Sequence, residues 1–282
     1  MGTARFGITP TGSGAGALVT GIDISKRVPK RQIDRIRAAL GEYGVVFLRD
    51  QEATPEQHIA FAQQFAEINI NRFFASVDDH PQIAEVRKEP EQSNNIGGSW
   101  HTDHSYDKEP AMGSILLARE TPLNGGDTLF ASMFSAYETL SPGLQRCLRG
   151  LKACHTSRFA FGNVGRLTEK GLKGRYNNPE KAKQNAVHPV VIKHPISGRR
   201  ALYVNPAFTI GIQGWSDEES KPLLEMLYKH AARPEHTYRF RWAAGSIAFW
   251  DNRATWHYAV NDYPGERRVM HRITLEGCKL AA

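Results

Sequence analysis

Long apolar runs are missing from this sequence. Apolar residues make up 40% of the chain, yet no stretch approaches the ~20 consecutive apolar residues of a membrane-spanning helix. Cysteine is also scarce. Cys147, Cys154 and Cys278 form neither a C-x-x-C pair nor an even disulfide framework, which fits a reducing compartment and points to the cytoplasm. The N-terminus lacks the charged-then-apolar plan of a secretory signal. Met1-Gly2 is not a myristoylation start, because Phe6 stands where Ser or Thr is needed. No long basic helix or DNA-binding motif accompanies the net charge of +7; the basic residues are scattered, in KRVPKR (26–31), KGLKGR (170–175) and RRVMHR (267–272). That excess reads as solvated surface and as affinity for an anionic small molecule, not nucleic acid. Repeats and low-complexity linkers are absent too, and 282 residues suffice for one domain with a sizeable core.

What is present is a mainly β pattern with a few helices. Ile33, Ile36 and Leu40 fall on one face of a helix that Gly41 and Gly44 close, and VVFLRDQ (45–51) reads as a short buried strand. Thr54-Pro55-Glu56-Gln57 is a capping box opening a helix with Ile59, Ala62 and Phe65 on one face. SPGLQRCLRGL (141–151) starts another helix, with Leu144, Leu148 and Leu151 as its stripe. A fourth runs from Ser216 or Ser220 to His230, with Pro222 in its first turns. SILLAR (114–119), TLFAS (128–132), VVIKH (190–194) and RALYV (200–204) are strand-like, the last two flanking a Pro195-Ile196-Ser197-Gly198 hairpin turn. TYRFRW puts Tyr238, Phe240 and Trp242 on one face, and Ala244-Gly245-Ser246 turns into IAFW. Consecutive short strands with glycine turns favour a β-sandwich or jelly roll over a βαβ fold. The polar stretch 162–187 is the candidate lid.

The chemistry concentrates in GGSWHTDHSY (97–106). On an extended segment His101 and Asp103 point the same way, so an imidazole nitrogen and a carboxylate oxygen can meet at one cation. A third ligand must come from elsewhere, and His257 in WDNRATWHYAV is the strongest candidate. Two histidines and one carboxylate on one side of a metal leave open positions and favour non-haem Fe(II). The H-x-D spacing alone is weak, since such pairs are more often surface hydrogen bonds. His104 faces away in this scheme and is left a minor role in the pocket wall.

RRVMHRITL adds a second constellation. Strand alternation puts Arg268, Met270 and Arg272 on one face, with Val269, His271 and Ile273 on the other. The two arginines lie about 13 Å apart at Cα, too far to clamp one small carboxylate together. Two guanidinium groups on one cavity therefore suggest two anionic groups or a ligand charged at both ends.

These pieces, with FAQQFAEI (61–68), NGGDTLF (124–130), AYETLSP (136–142) and HPVVIKHPISGRRALYVN (188–205), resemble the TauD/TfdA family of Fe(II)- and 2-oxoglutarate-dependent dioxygenases along almost the whole chain. Their order and spacing together are specific, and the taurine dioxygenase branch is the nearest. The resemblance implies a double-stranded β-helix, a jelly roll with flanking helices, and His101, Asp103 and His257 as iron ligands. It implies that Arg268, helped by Thr128, holds the distal carboxylate of 2-oxoglutarate, and that Arg272 lies near the metal and meets an anionic group of the substrate. Phe161 and Phe208 match pocket-lining positions. It also implies use of O2 with release of succinate and CO2, hydroxylation of a substrate C–H bond, and a homo-oligomer, dimer or tetramer.

The sequence departs from taurine-specific members, which carry His, Tyr and Asn where this chain has Asn71, Phe74 and Gly97. A site built for polar partners discriminates steeply, so losing them argues against taurine and for a more apolar substrate with one anionic group. Two alternatives stand beside this reading: a taurine or alkylsulfonate dioxygenase of the same family, and a zinc hydrolase using the same His/Asp/His set. The paired arginines weigh against the hydrolase. Loss of a ligand would mark a third possibility, a non-catalytic binding protein, and no ligand is lost.

Overall fold

The computed structural model describes residues 5–12, 14–162 and 176–282. Its largest sheet has nine strands. They run in the order Gly7–Pro10, Ala17–Thr20, Val45–Leu48, Ile247–Asp251, Gly113–Glu120, Arg268–Leu275, His80–Lys88, Ser76–Val77, with Ile68–Asn69 pairing onto Arg268–Leu275. A three-stranded sheet, Thr237–Phe240, Thr128–Ser132 and Thr255–Ala259, faces it. Smaller sheets join Lys152–Thr156 to its two neighbours Asn185–Pro189 and Thr209–Ile212, and Val191–Lys193 to Arg200–Leu202. This is the double-stranded β-helix expected.

Strand alternation divides the packing. Along Gly113–Glu120, Ile115 and Leu117 point to the helical side, while Leu116 points inward between the two sheets. Val46 and Leu48 likewise meet the helices, and Val45 and Phe47 the interior. Both faces are covered, which is why VVFL reads as an unbroken apolar run.

Two helices cover the outer face. Lys30–Tyr43 buries Ile33, Ile36, Ala39 and Leu40, and runs on through Gly41, whose missing side chain leaves room for Ile196. Gly44 alone ends it, at φ +75°, its N–H donating to the Leu40 carbonyl. Pro55–Gln63 opens on the capping box expected at Thr54 and Gln57 but buries His58, Phe61 and Ala62, while Phe65 is buried just beyond its end. Pro142–Leu148 and Asp217–Ala231 pack on the other side of the smaller sheet with Met133–Glu138, a helix the pattern did not reveal. Ser216 caps the long helix, and Pro222 sits in its second turn on the exposed side. The hairpin expected around Pro195–Gly198 is present, with Val191 opposite Leu202 and Gly198 at φ +71°. Most of the expected lid, residues 163–175, lies outside the described residues. Among the described residues no helix is long and apolar enough to cross a membrane.

Candidate metal centre and pocket

His101 and His257 come together through the backbone. They form one antiparallel bridge: the His101 N–H donates to the His257 carbonyl at 3.2 Å, and the His257 N–H to the His101 carbonyl at 2.8 Å. Their rings lie 4.0 Å apart. With Asp103 they present ligand atoms that all lie within 4.8 Å of one another. His101 Nδ1 is 2.7 Å from the Ser99 carbonyl. A carbonyl only accepts, so Nδ1 carries the proton and Nε2 keeps its lone pair, 3.9 Å from Asp103 Oδ1. Ser114 Oγ donates to Asp103 Oδ2 at 3.0 Å, and Arg272 Nη1 lies 3.5 Å from Oδ1.

The protonation states suit a divalent cation. Burial holds both imidazoles below the ordinary histidine value, His257 well below it. Burial pushes the Asp103 carboxyl up, but Arg272, then His257 and His101, outweigh it and hold the group below the usual carboxylate range. Two neutral imidazoles and one carboxylate are what a metal of this class needs.

A cavity of about 390 Å³ opens from this cluster between the two sheets, and every residue singled out from the sequence lines it. Thr128 and His257 enter from the smaller sheet, Arg268 and Arg272 from the larger. Arg268 is buried, and its Nε and Nη2 have no hydrogen-bond partner among the described residues. Burial lowers its pKa, against Tyr263 and Asp127. A buried cation with idle donors is costly, so this corner is built for an anion. Trp242 Nε1 donates to Thr128 Oγ1 at 3.0 Å, which leaves the hydroxyl proton for a further acceptor. The orphaned guanidinium and the free hydroxyl fit the distal carboxylate of 2-oxoglutarate, and the His/Asp/His donor set fits Fe(II).

The opposite end is aromatic. Phe161 stacks on Phe73 at 4.3 Å, and Phe208 meets Tyr106 edge-on at 4.9 Å. The Arg272 guanidinium lies 4.4 Å from the centre of the Phe74 ring, and its Nε is unpartnered among the described residues. Asn71 Oδ1 accepts from the Phe73 and Phe74 N–H groups, so the amide nitrogen is its free end. Gly97 has φ +80°, and a Cβ there would stand 3.4 Å from His101 Cε1, so the chain passes close to the ligand without a side chain of its own.

His104 lies in the pocket wall, as expected, but not by strand alternation: the extended segment ends at Asp103 and the chain turns. His104 adopts φ +60° and is buried, and the Asp107 N–H donates back to its carbonyl. The turn brings its ring to the same cavity. Sequence reasoning also missed Ser114, Trp242 and Tyr106. Ser114 was findable: it is the polar residue among the buried positions 113–118 of its strand. Trp242 and Tyr106 carried no signal beyond core aromatics.

Comparison with known proteins agrees. The chain is 33% identical over 272 residues to an alpha-ketoglutarate-dependent sulfate ester dioxygenase of Pseudomonas putida, covering 96% of this chain and 89% of that one. It is 34% identical to an alkylsulfatase of Acinetobacter baylyi, covering 93% and 82%. Among solved structures, a taurine dioxygenase from Burkholderia xenovorans superposes with a TM-score of 0.81 at 36% identity, covering 96% and 91%. The family model for taurine catabolism dioxygenase TauD, TfdA family, matches residues 6–274. With ligand cluster, anion corner and fold in one cavity, the chain belongs to the TauD/TfdA family and is a 2-oxoglutarate-dependent non-haem iron dioxygenase.

Proposed function

We propose that residues 1–282, acting as one domain, hydroxylate a C–H bond of a small organic anion, with His101, Asp103 and His257 holding Fe(II) and Arg268 with Thr128 holding 2-oxoglutarate. The observation that carries this reading is the buried Arg268, its idle donors in the same cavity as the ligand cluster. Iron with 2-oxoglutarate and O2 supplies the oxidation, with succinate and CO2 as co-products. The chain's own residues bind, orient and exclude water. Ser114 and the Ser99 carbonyl fix Asp103 and His101 for the metal. Arg272 Nε and the Asn71 amide nitrogen receive the substrate's anionic group, and Phe74, Phe161 and Phe208 cover its apolar part.

The similarity to a sulfate ester dioxygenase and an alkylsulfatase supports sulfate esters as a substrate class. Taurine fits less well, since Phe74 offers a ring and Gly97 nothing where taurine-specific enzymes have polar groups. A zinc hydrolase would leave the Arg268 corner without a purpose. A cytoplasmic home is supported by the free thiols of Cys147, Cys154 and Cys278. The homo-oligomer rests on the family resemblance alone, and the absence of nucleic-acid and membrane partners on the scattered basic residues and the lack of a long apolar run.

Anaerobic addition of Fe(II) and 2-oxoglutarate tests the reading. A metal-to-ligand charge-transfer band is expected in the native chain, and His257→Ala is expected to lose the band and succinate formation while keeping its fold. Tight zinc binding with hydrolysis and no band would overturn it.

A further inference from the structure

His104 carries more than a pocket wall needs. It follows the ligand Asp103 directly, is 3% exposed, and holds a left-handed φ of +60° that costs a histidine energy. Its Nδ1 is 3.0 Å from Asp107 Oδ2. Asp107 is itself gripped at both oxygens by Arg72, Nη1 to Oδ1 at 3.1 Å and Nη2 to Oδ2 at 3.0 Å. His188 Nε2 lies 3.0 Å from the Asp107 carbonyl, and the Asn178 amide donates to the Arg72 carbonyl, so the pair is anchored from behind. The other ring nitrogen, Nε2, is buried and has no hydrogen-bond partner among the described residues. The ring lines the cavity.

A carboxylate only accepts, so Nδ1 must carry the proton that Asp107 receives. With that proton on Nδ1, the imidazole's lone pair lies on Nε2, the nitrogen that has no partner among the described residues. Arg72 grips both Asp107 oxygens, so the carboxylate's charge is already met and does not call for a second proton on His104. A buried acceptor left unmet is expensive, and strained backbone persists where function needs it.

We infer that His104 is a specificity-determining residue: its Nε2 accepts a hydrogen bond from a hydroxyl or N–H of the primary substrate, so the substrate is a small organic anion that also carries a donor group. This rests on the proposed dioxygenase reading and narrows it. Arg272 and Asn71 offer donors to the anion, whereas His104 offers the pocket an acceptor fixed by Asp107 and Arg72. Asp107 and Arg72 touch no substrate and act through His104 as positioning residues.

Matched probes test this: hexanoate against 2-hydroxyhexanoate and 2-aminohexanoate, and hexyl sulfate against 2-hydroxyhexyl sulfate, each scored by probe-dependent succinate release. In the native holoenzyme a donor-bearing probe is expected to exceed its partner at least tenfold in kcat/KM. His104→Asn, which tolerates positive φ, should bring that ratio close to one with the melting curve and the charge-transfer band retained. Asp107→Asn can donate to Nδ1 and move the proton to Nε2, so the preference should shift away from donor-bearing probes. In parallel, ¹⁵N-histidine NMR of the zinc-loaded protein should report an unprotonated His104 Nε2 in the native chain and a protonated one in Asp107→Asn. The inference is overturned by a protonated Nε2 in the native protein, by a donor preference that survives His104→Asn, or by a panel in which no donor-bearing probe outperforms its partner. Absence of the charge-transfer band in the native chain would instead overturn the dioxygenase reading.

Discussion

Ser114 Oγ donates to Asp103 Oδ2 at 3.0 Å from a fully buried position on the central strand of the larger sheet. That bond holds one carboxylate oxygen and leaves the other, Oδ1, toward His101 and Arg272. Outer partners of this kind typically affect metal affinity by about 10–100-fold. Ser114→Ala is expected to weaken Fe(II) binding within that range without unfolding the chain, read by titrating the charge-transfer band with iron. Unchanged affinity would mean Asp103 is oriented by packing alone.

Arg268 is a buried cation awaiting an anion. Charge-assisted hydrogen bonds contribute about 1.5–3 kcal/mol each, so losing two should raise the apparent Kd for 2-oxoglutarate by roughly a hundredfold or more. Arg268→Met is the suitable replacement, being apolar and of similar length. The same variant should melt higher than the native chain when 2-oxoglutarate is absent, because an unpaired buried charge has been removed. Isothermal titration and thermal melts check the two halves separately.

Acid stability follows from buried histidines. Burial lowers His58 and His155 from about 6.5 to about 3 in the folded chain. The unfolded chain therefore binds more protons between those values, and stability falls as pH drops from about 6.5 toward 3. Each group contributes a slope of up to about 1.4 kcal/mol per pH unit in that window. Neither His58 ring nitrogen has a hydrogen-bond partner among the described residues. His58→Leu should raise the melting temperature and flatten part of the acid limb in urea titrations from pH 7 to 4.

Asp251 and Arg253 form a buried pair on the turn that leads to His257. The carboxylate accepts from Arg253 Nε at 2.8 Å and Nη2 at 2.6 Å, with His194 Nε2 3.1 Å away. Asp251→Ala would strand the guanidinium, at a cost of about 3–5 kcal/mol. Chemical denaturation should report that loss, and iron binding should fall only to the extent that folding does.

The sequence made the β architecture legible because strand alternation and turn residues are local. TLFAS became the strand Thr128–Ser132 with those bounds, and the capping box at Thr54 appeared as written. Met133–Glu138 escaped notice because it follows that strand at once, its start marked only by Ser132. The cavity was legible in its parts, since alternation put Arg268 and Arg272 on one face. The turn that carries His104 into the pocket wall was not legible, because a single positive φ redirects a side chain and nothing in WHTDHSY marks which residue will take it. The Asp107–Arg72 clamp spans 35 positions of sequence, beyond the reach of any local pattern.

The aromatic end of the pocket has its own consequence. Phe73, Phe74 and Phe208 lie outside both facing sheets, and Phe161 ends a four-residue helix, whereas His257, Thr128, Arg268 and Arg272 stand on strands of those sheets. The apolar lining of the substrate end is thus carried by connecting segments, and the 2-oxoglutarate corner by strands of the sheets. Inheritance can rewrite the first without disturbing the second, so a lineage can acquire new substrates by exchanging a few connecting residues while its grip on 2-oxoglutarate descends unchanged.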